Sequence, residues 1–192
     1  MRHWRRLRPA FAETKLRLRA GRSDDMKTAV FIRSSLVEII RNTMKYSSKN
    51  AQETEKLGKK LVSKLRGGET IALTGDLGSG KTVFAKGVAK ALGIRKKITS
   101  PTFVLWRLYQ IPKPGRIKYL CHIDLYRLTQ SQDILALGIN EYWQRKDTVC
   151  LIEWAEKIKR FLPRKNLFLV KFEISDLNTR KIIIDGVSDV RS

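Results

Sequence analysis

Residues 75–82 read Gly-Asp-Leu-Gly-Ser-Gly-Lys-Thr and match the phosphate-binding loop pattern GxxxxGK[ST] at every position. A short β-prone run, residues 70–74, precedes this loop, and residues 83–92 are typical of a helix that ends at Gly93. Strand, glycine-rich loop and helix follow one another in the order that the motif requires. The stretch therefore predicts an α/β domain that binds a nucleoside triphosphate.

The residue types in this loop suit phosphates that carry magnesium. Glycines let backbone N–H groups turn toward phosphate oxygens, and a helix that begins near Lys81 directs its positive end at the same charge. Lys81 is predicted to reach the β- and γ-phosphates, and the Thr82 hydroxyl to ligate Mg²⁺. The predicted nucleotide-binding set is Asp76, Gly78, Ser79, Gly80, Lys81, Thr82 and Val83. A glycine-rich turn that merely caps a helix is the alternative, and the flanking strand and helix disfavour it.

Length and cysteine content narrow the class of protein. The 192 residues suffice for one well-buried core, and no window approaches the roughly 18–20 consecutive apolar residues of a membrane span. Cys121 and Cys150 both lie in apolar β-like runs, which favours buried thiols over a disulfide or a metal pair. This cysteine usage suits a reducing cytosol, so we expect a cytoplasmic protein.

The formal net charge of +22 bears on the partners of the chain. Residues 1–43 hold 11 Lys and Arg against four Asp and Glu, so most of the excess lies in the remainder. Such an excess favours a polyanionic partner such as RNA. A lysine-rich proteome, or a charged surface that serves only solubility, is the alternative.

The arginine-rich residues 1–44 differ in composition from residues 45–192, which we expect to form the nucleotide-binding domain. Three explanations stay open for the first segment: a mitochondrial targeting peptide, a disordered basic arm, or residues upstream of the true start. Met26 and Met44 are both candidate starts.

The pattern of the remaining chain predicts a three-layer P-loop fold with a central, largely parallel sheet, flanking helices and a C-terminal β-hairpin. Ser48 is the expected N-cap of the first helix. Predicted helices cover 51–65, 131–137, 139–142 and 155–160, and predicted strands cover 103–110, 118–123, 148–152, 166–174 and 179–184.

Three later residues could complete a triphosphate site. Glu153 ends an apolar strand, where acidic residues of such folds reach Mg²⁺ directly or through water; most such folds use Asp, and the longer Glu could also orient water. Asp124 also ends a strand, where it either serves the site or caps a helix. Thr102 either senses the γ-phosphate or opens a strand. His122 is more typical of a core or surface histidine than of a ligand.

Four motifs occur in a defined order: GDLGSGKT at 75–82, SPTF at 100–103, HIDLYRL at 122–128 and LIEWAE at 151–156. Together they strongly resemble the TsaE family, the P-loop ATPase of bacterial tRNA threonylcarbamoyladenosine (t6A) synthesis. The likeness spans residues 47–185 and includes Leu57-Gly58, Lys86-Gly87 and Leu137-Gly138. The chain departs from the family in its first 43 residues and in its high charge.

The resemblance implies a small cytoplasmic Mg²⁺-dependent ATPase that acts with TsaD and TsaB proteins, which transfer threonylcarbamoyl to adenosine 37 of tRNA. It implies contact with tRNA through these partners, and the basic charge leaves direct contact open. By motif, Lys81, Thr102, Asp124 and Glu153 are the implied catalytic residues, with Thr82 and Glu153 on magnesium. Arg180 resembles a family arginine near the nucleotide, and Trp154 either packs near the nucleotide or belongs to the core.

Two other function classes share some of these features. A small-molecule kinase has the same loop and size, but it usually carries an arginine-bearing lid and an acceptor pocket, and the sequence indicates neither. A basic RNA-binding module predicts aromatic residues interleaved with charge, whereas most aromatic residues here fall in apolar strands or helices.

Overall fold

A computed structural model describes residues 42–96, 98, 105–131, 134, 142–143 and 145–187. Two α-helices are seen in these residues, α1 (Ala51–Val62) and α2 (Lys81–Ala91). Two short 3₁₀ turns that meet at Ile158 span Ala155–Phe161. The strands are β1 (Asn42–Ser48), β2 (Thr70–Thr74), β3 (Trp106–Gln110), β4 (Tyr119–Asp124), β5 (Thr148–Glu153), β6 (Leu167–Ile174) and β7 (Arg180–Val187).

The strands form one seven-stranded sheet in the order β1-β7-β6-β2-β5-β4-β3. The four central strands β6, β2, β5 and β4 are mutually parallel, whereas β3 and the β7–β1 pair join antiparallel at the two sides. The predicted α/β fold with a parallel centre is therefore confirmed, and the antiparallel pairings of β3 with β4 and of β1 with β7 are additions. The predicted C-terminal hairpin is the β6–β7 pair, with its turn at residues 175–179.

Alternation along the strands divides the core between the two faces of the sheet. One face packs Ile71, Leu73 and Leu151 against α1 and α2. The other face packs Ala72 and Ile152 against the 3₁₀ turns and the segment after β4. Both α-helices of the described residues thus lie on one face, which is also the face that carries the site.

Two glycines allow α1 and α2 to pack closely. A Cβ atom built on Gly58 would lie 2.3 Å from the carbonyl oxygen of Phe84, and one on Gly87 would lie 2.1 Å from that of Glu55. Both distances are far shorter than a real carbon–oxygen contact. The two helices therefore approach each other through bare backbone, and α1 fixes the position of the helix that follows the phosphate-binding loop.

The start of the domain differs from the sequence prediction. Ser48 belongs to strand β1, which the pattern did not reveal, and the N-cap of α1 is Asn50, whose side chain accepts a hydrogen bond from the Glu53 N–H. Ser48 donates to the Asn50 carbonyl instead. Strand β1 includes residues 42–44, which the predicted division assigned to the extension, and α1 ends at Val62, three residues before its predicted end.

The remaining element predictions have mixed outcomes. Strands β5 and β6 lie within one residue of their predicted bounds, whereas β7 continues three residues past its predicted end, and β3 is described from Trp106 onward. The predicted helix after Glu153 consists of 3₁₀ turns. Most of predicted helix 131–137 and nearly all of 139–142 fall outside the described residues, as do 1–41.

Cys121 and Cys150 are buried free thiols that face each other across β4 and β5. Their contact and their burial raise the pKa of Cys121. In the part of the chain that the structure describes, no helix has the length and apolar character that crossing a membrane requires.

Candidate functional site

The carboxyl ends of three parallel strands meet at one edge of the sheet. The phosphate-binding loop follows β2, Asp124 ends β4, and Glu153 ends β5, directly opposite Asp124 in the strand register. Ligands of open α/β sheets bind at such an edge. A cleft of about 330 Å³ lies there, lined chiefly by the loop, Asp124, Glu153 and aromatic side chains.

The loop between β2 and α2 depends on glycine at three positions. Gly75, Gly78 and Gly80 have φ angles of 131°, 75° and 105°, which side chains with a Cβ rarely adopt. Gly75 also lies against β6, where a Cβ would be 2.4 Å from the Phe172 carbonyl oxygen. The hydroxyl of Ser79 is buried and has no hydrogen-bond partner in the described residues. A curved backbone with an unpaired hydroxyl suits a ligand rich in acceptor oxygens.

Lys81 opens α2 and is 4% exposed. Its ammonium donates to the carbonyl oxygens of Gly75 and Asp76 at 2.6 and 2.8 Å, and it lies 3.6 Å from the centre of the Trp154 ring. Burial lowers the pKa of Lys81, while the carboxylates of Glu156 and Glu153 oppose that change. The cation is thus held inside the loop by neutral acceptors and an aromatic face.

Three buried or half-buried side chains connect α2, β5 and β4 through hydrogen bonds. The Thr82 hydroxyl donates to Glu153 Oε2 at 2.7 Å, and Glu153 Oε1 lies 2.9 Å from His122 Nε2. Glu153 and His122 are each 1% exposed. Both oxygens of this carboxylate are therefore fixed, one toward the loop and one toward β4.

Asp124 is buried at the end of β4 and lines the cleft. Its Oδ1 accepts a hydrogen bond from the Tyr126 N–H at 3.0 Å, which fixes the turn that leaves the strand. The carboxylate therefore stabilises a local turn, with no helix for it to cap in the described residues 125–130, and it also lines the cleft.

Trp154 and Arg180 contact the loop from outside it. Trp154 has a φ of 61°, an uncommon conformation for a residue with a side chain, and its ring packs against Tyr126 with 5.2 Å between ring centres. Arg180 donates from Nη2 to the Gly78 carbonyl oxygen at 3.4 Å, while its Nη1 donates to carbonyl oxygens of the hairpin turn. The hairpin is thereby connected to the phosphate-binding loop.

Most of the predicted site residues surround this one cleft. The lining includes Gly78, Ser79, Gly80, Lys81, Thr82, Val83, Asp124 and Glu153. Asp76 contributes its backbone carbonyl and has an exposed side chain, and Thr102 lies outside the described residues. His122 is the residue that sequence reasoning undervalued. Its spacing of two from Asp124 within a strand puts both side chains on the same face, and this spacing could have identified it.

The arrangement suits a triphosphate with Mg²⁺. The cleft is lined by Ser79, whose buried hydroxyl has no partner in the described residues, and by Lys81 at the N-terminus of α2. Thr82 and Glu153 could hold Mg²⁺ together with phosphate oxygens and water, the ligand set that this ion prefers. Among the described residues, no three His, Cys, Asp or Glu side chains form a metal site by themselves.

Comparison with protein families gives a match over most of the domain. The family model of the threonylcarbamoyl adenosine biosynthesis protein TsaE matches residues 48–182. This range contains every predicted site residue.

Individual relatives and a solved structure agree with this match. The tRNA threonylcarbamoyladenosine biosynthesis protein TsaE of Bacillus subtilis (strain 168) is 38% identical over 147 residues, which cover 76% of this chain and 87% of that protein. The protein of the same name from Treponema pallidum (strain Nichols) is 37% identical over 135 residues, 70% of this chain and 96% of its own. The crystal structure of YdiB from Bacillus subtilis is similar with a TM-score of 0.62 at 30% identity and covers 77% of this chain and 88% of that one.

Proposed function

The chain belongs to the TsaE family of threonylcarbamoyl adenosine biosynthesis proteins, and from this premise we propose that it is a Mg²⁺-dependent ATPase. In this proposal it supports threonylcarbamoyl transfer to adenosine 37 of tRNA. Its ATPase cycle serves TsaD and TsaB partners in the cytoplasm and does not itself form the carbamoyl product.

One observation carries the ATPase proposal: the Thr82 hydroxyl donates a hydrogen bond to Glu153 within the cleft that the phosphate-binding loop lines. A hydroxyl that donates to a carboxylate keeps its lone pairs for a cation. This pairing of a loop threonine with an acid from a neighbouring strand is the arrangement that a Mg²⁺–triphosphate site needs. When bound, Mg²⁺ would neutralise charge on the β- and γ-phosphates.

The surrounding residues have separate proposed roles. The loop N–H groups and the Ser79 hydroxyl bind phosphate oxygens, and Lys81 exchanges its carbonyl acceptors for the β- and γ-phosphates. Asp124 orients the attacking water at the mouth of the cleft. Thr102 is proposed to sense the γ-phosphate. Arg180 holds the hairpin against the loop beside the nucleotide.

The proposed partners explain why the activity should be slow in isolation. Phosphoryl transfer to water depends mainly on positioning, and Thr102 and Asp124 alone leave this incomplete. We therefore expect hydrolysis to accelerate when TsaD and TsaB are added. Contact with tRNA runs through these partners, and the net charge of +22 supports testing direct contact as well.

Magnesium-dependent release of phosphate from ATP tests the proposal. Lys81→Ala and Thr82→Ala should abolish it, and Glu153→Ala should impair it, with the domain still folded by circular dichroism. Lys90→Ala is a matched control because Lys90 is on the same helix but pairs with Glu55 away from the cleft. Hydrolysis that persists in Lys81→Ala would refute the assignment of the site.

A further inference from the structure

We propose that His122 is a positioning residue of this site: it holds the Glu153 carboxylate so that its other oxygen stays on Thr82. This inference rests on the proposed ATPase function and adds to it a residue outside the phosphate-binding loop and the acid. His122 does not line the cleft, so it would act through Glu153 and not on the nucleotide.

The geometry gives the Glu153 carboxylate two different partners. Oε1 lies 2.9 Å from His122 Nε2, and Oε2 accepts from Thr82 at 2.7 Å. The terminal torsion of a glutamate is broad and poorly restrained by its own stereochemistry. Two partners on opposite sides of the group remove that freedom, so His122 selects the orientation in which Oε2 points at the loop.

The hydrogen bonds also define which imidazole nitrogen carries the proton. An ionised carboxylate only accepts, so Nε2 must donate to Glu153. The second nitrogen of His122, Nδ1, is buried and has no partner in the described residues. A proton there would be a buried donor without an acceptor, which is costly. His122 therefore carries hydrogen on Nε2, and no acceptor among the described residues favours the tautomer with hydrogen on Nδ1 alone.

Loss of this bond would affect a carboxylate that has little access to water. Glu153 is 1% exposed, so water cannot replace the lost donor at Oε1. The carboxylate would then turn toward nearby Lys81, whose charge already interacts with it. This turn would weaken the bond to Thr82 that leaves the threonine oxygen available to magnesium.

Two substitutions separate positioning from simple packing. His122→Leu fills a similar volume without a donor, whereas the amide of His122→Gln can reach toward Oε1 in the way that Nε2 does. Outer partners of metal-binding groups typically contribute about 10- to 100-fold to metal affinity or activity. We therefore expect His122→Leu to lower kcat by about tenfold or more and to raise the half-saturating Mg²⁺ concentration, with ATP affinity in the absence of Mg²⁺ unchanged. His122→Gln should restore most of both values.

A spectroscopic measurement tests the same inference without activity. The chain contains two histidines, His3 and His122, so a long-range ¹H–¹⁵N spectrum of ¹⁵N-histidine-labelled protein contains two imidazoles. The signal that disappears in His122→Gln belongs to His122, and it should show hydrogen on Nε2.

Failure of the inference and failure of the proposed function give different results. Wild-type kcat and Mg²⁺ dependence in folded His122→Leu, or no recovery in folded His122→Gln, would overturn the positioning role. Hydrogen on Nδ1 alone, with none on Nε2, in the wild-type protein would overturn it as well. Wild-type protein that hydrolyses no ATP would instead refute the proposed function, and the spectrum would still decide the state of His122.

Discussion

Substitution of Gly87 by alanine tests whether the close packing of α1 and α2 determines the stability of this domain. A Cβ at position 87 would lie 2.1 Å from the Glu55 carbonyl oxygen and 3.0 Å from its carbonyl carbon. Ordinary carbon–oxygen contacts begin at about 3.3 Å, so the helices would have to separate by about 1 Å. Because the obstructing atoms are backbone, no side-chain rotation can relieve the contact.

The expected loss of stability is the difference between two opposing effects. Overpacking of this kind costs up to about 3 kcal/mol, and alanine recovers about 1 kcal/mol of helix propensity over glycine. The net loss of about 2 kcal/mol should lower the melting temperature of a domain of this size by about 4–8 °C. Thermal unfolding followed by circular dichroism measures this change.

Gly115→Ala is the matched control. Gly115 lies in a turn where an added Cβ meets no atom within 4 Å, so its substitution should alter the unfolding free energy by less than about 0.5 kcal/mol. If Gly87→Ala were as stable as the wild-type protein or more stable, helix propensity would outweigh packing. The close approach of the two helices would then be refuted.

Three further predictions concern the hairpin and the charge. The ammonium groups of Lys171 and Lys181 lower the pKa of Glu173 to about 2 from an ordinary 4.5. Because the folded-state pKa lies below the unfolded one, the stabilisation is present above pH 4.5 and is lost as the pH falls toward 2. The melting-temperature difference between the wild type and Glu173→Gln should shrink over that range and in high salt, and a constant difference would contradict the pairing. Arg180→Ala removes the hydrogen bond to the Gly78 carbonyl oxygen. Because such a bond contributes about 1 kcal/mol, ATP binding measured by calorimetry should weaken by about fivefold. An equal loss in the control Lys181→Ala would argue against this contact. Direct binding of tRNA should weaken with salt, with a log–log slope of about 0.7–0.9 per phosphate contacted, and a flat response in fluorescence anisotropy would exclude direct contact.

The sequence predicted the parts of this fold that depend on local chemistry. The loop at 75–82 needs glycine at fixed positions, and the ends of two apolar strands indicated Asp124 and Glu153. The α/β fold and the TsaE family are confirmed by the structure and the comparisons. These features can be predicted from the sequence because the backbone conformation and the burial of the strands directly constrain the residue types.

The features that the sequence did not reveal depend on tertiary partners. Strand β1 is stable because it pairs with β7, and no signal in residues 42–48 alone specifies that partner. Ser48 and Asn50 are both common capping residues, so only the end of β1 decides which of them caps α1. His122 has a polar role at a buried position because Glu153 comes from a neighbouring strand. The contacts of β1 with β7 and of His122 with Glu153 join residues far apart in the chain. Periodicity places His122 on the same strand face as Asp124, but it does not specify Glu153 as its partner.

The t6A content of tRNA in a bacterial strain that lacks its own TsaE tests the central claim most directly. Expression of the wild-type chain should restore t6A. Expression of Lys81→Ala to the same level should not, because alanine lacks the ammonium that would bind the phosphates. Lys90→Ala should restore t6A like the wild type. Restoration of t6A by Lys81→Ala, or no restoration by the wild-type chain, would contradict the claim that this nucleotide site serves tRNA modification.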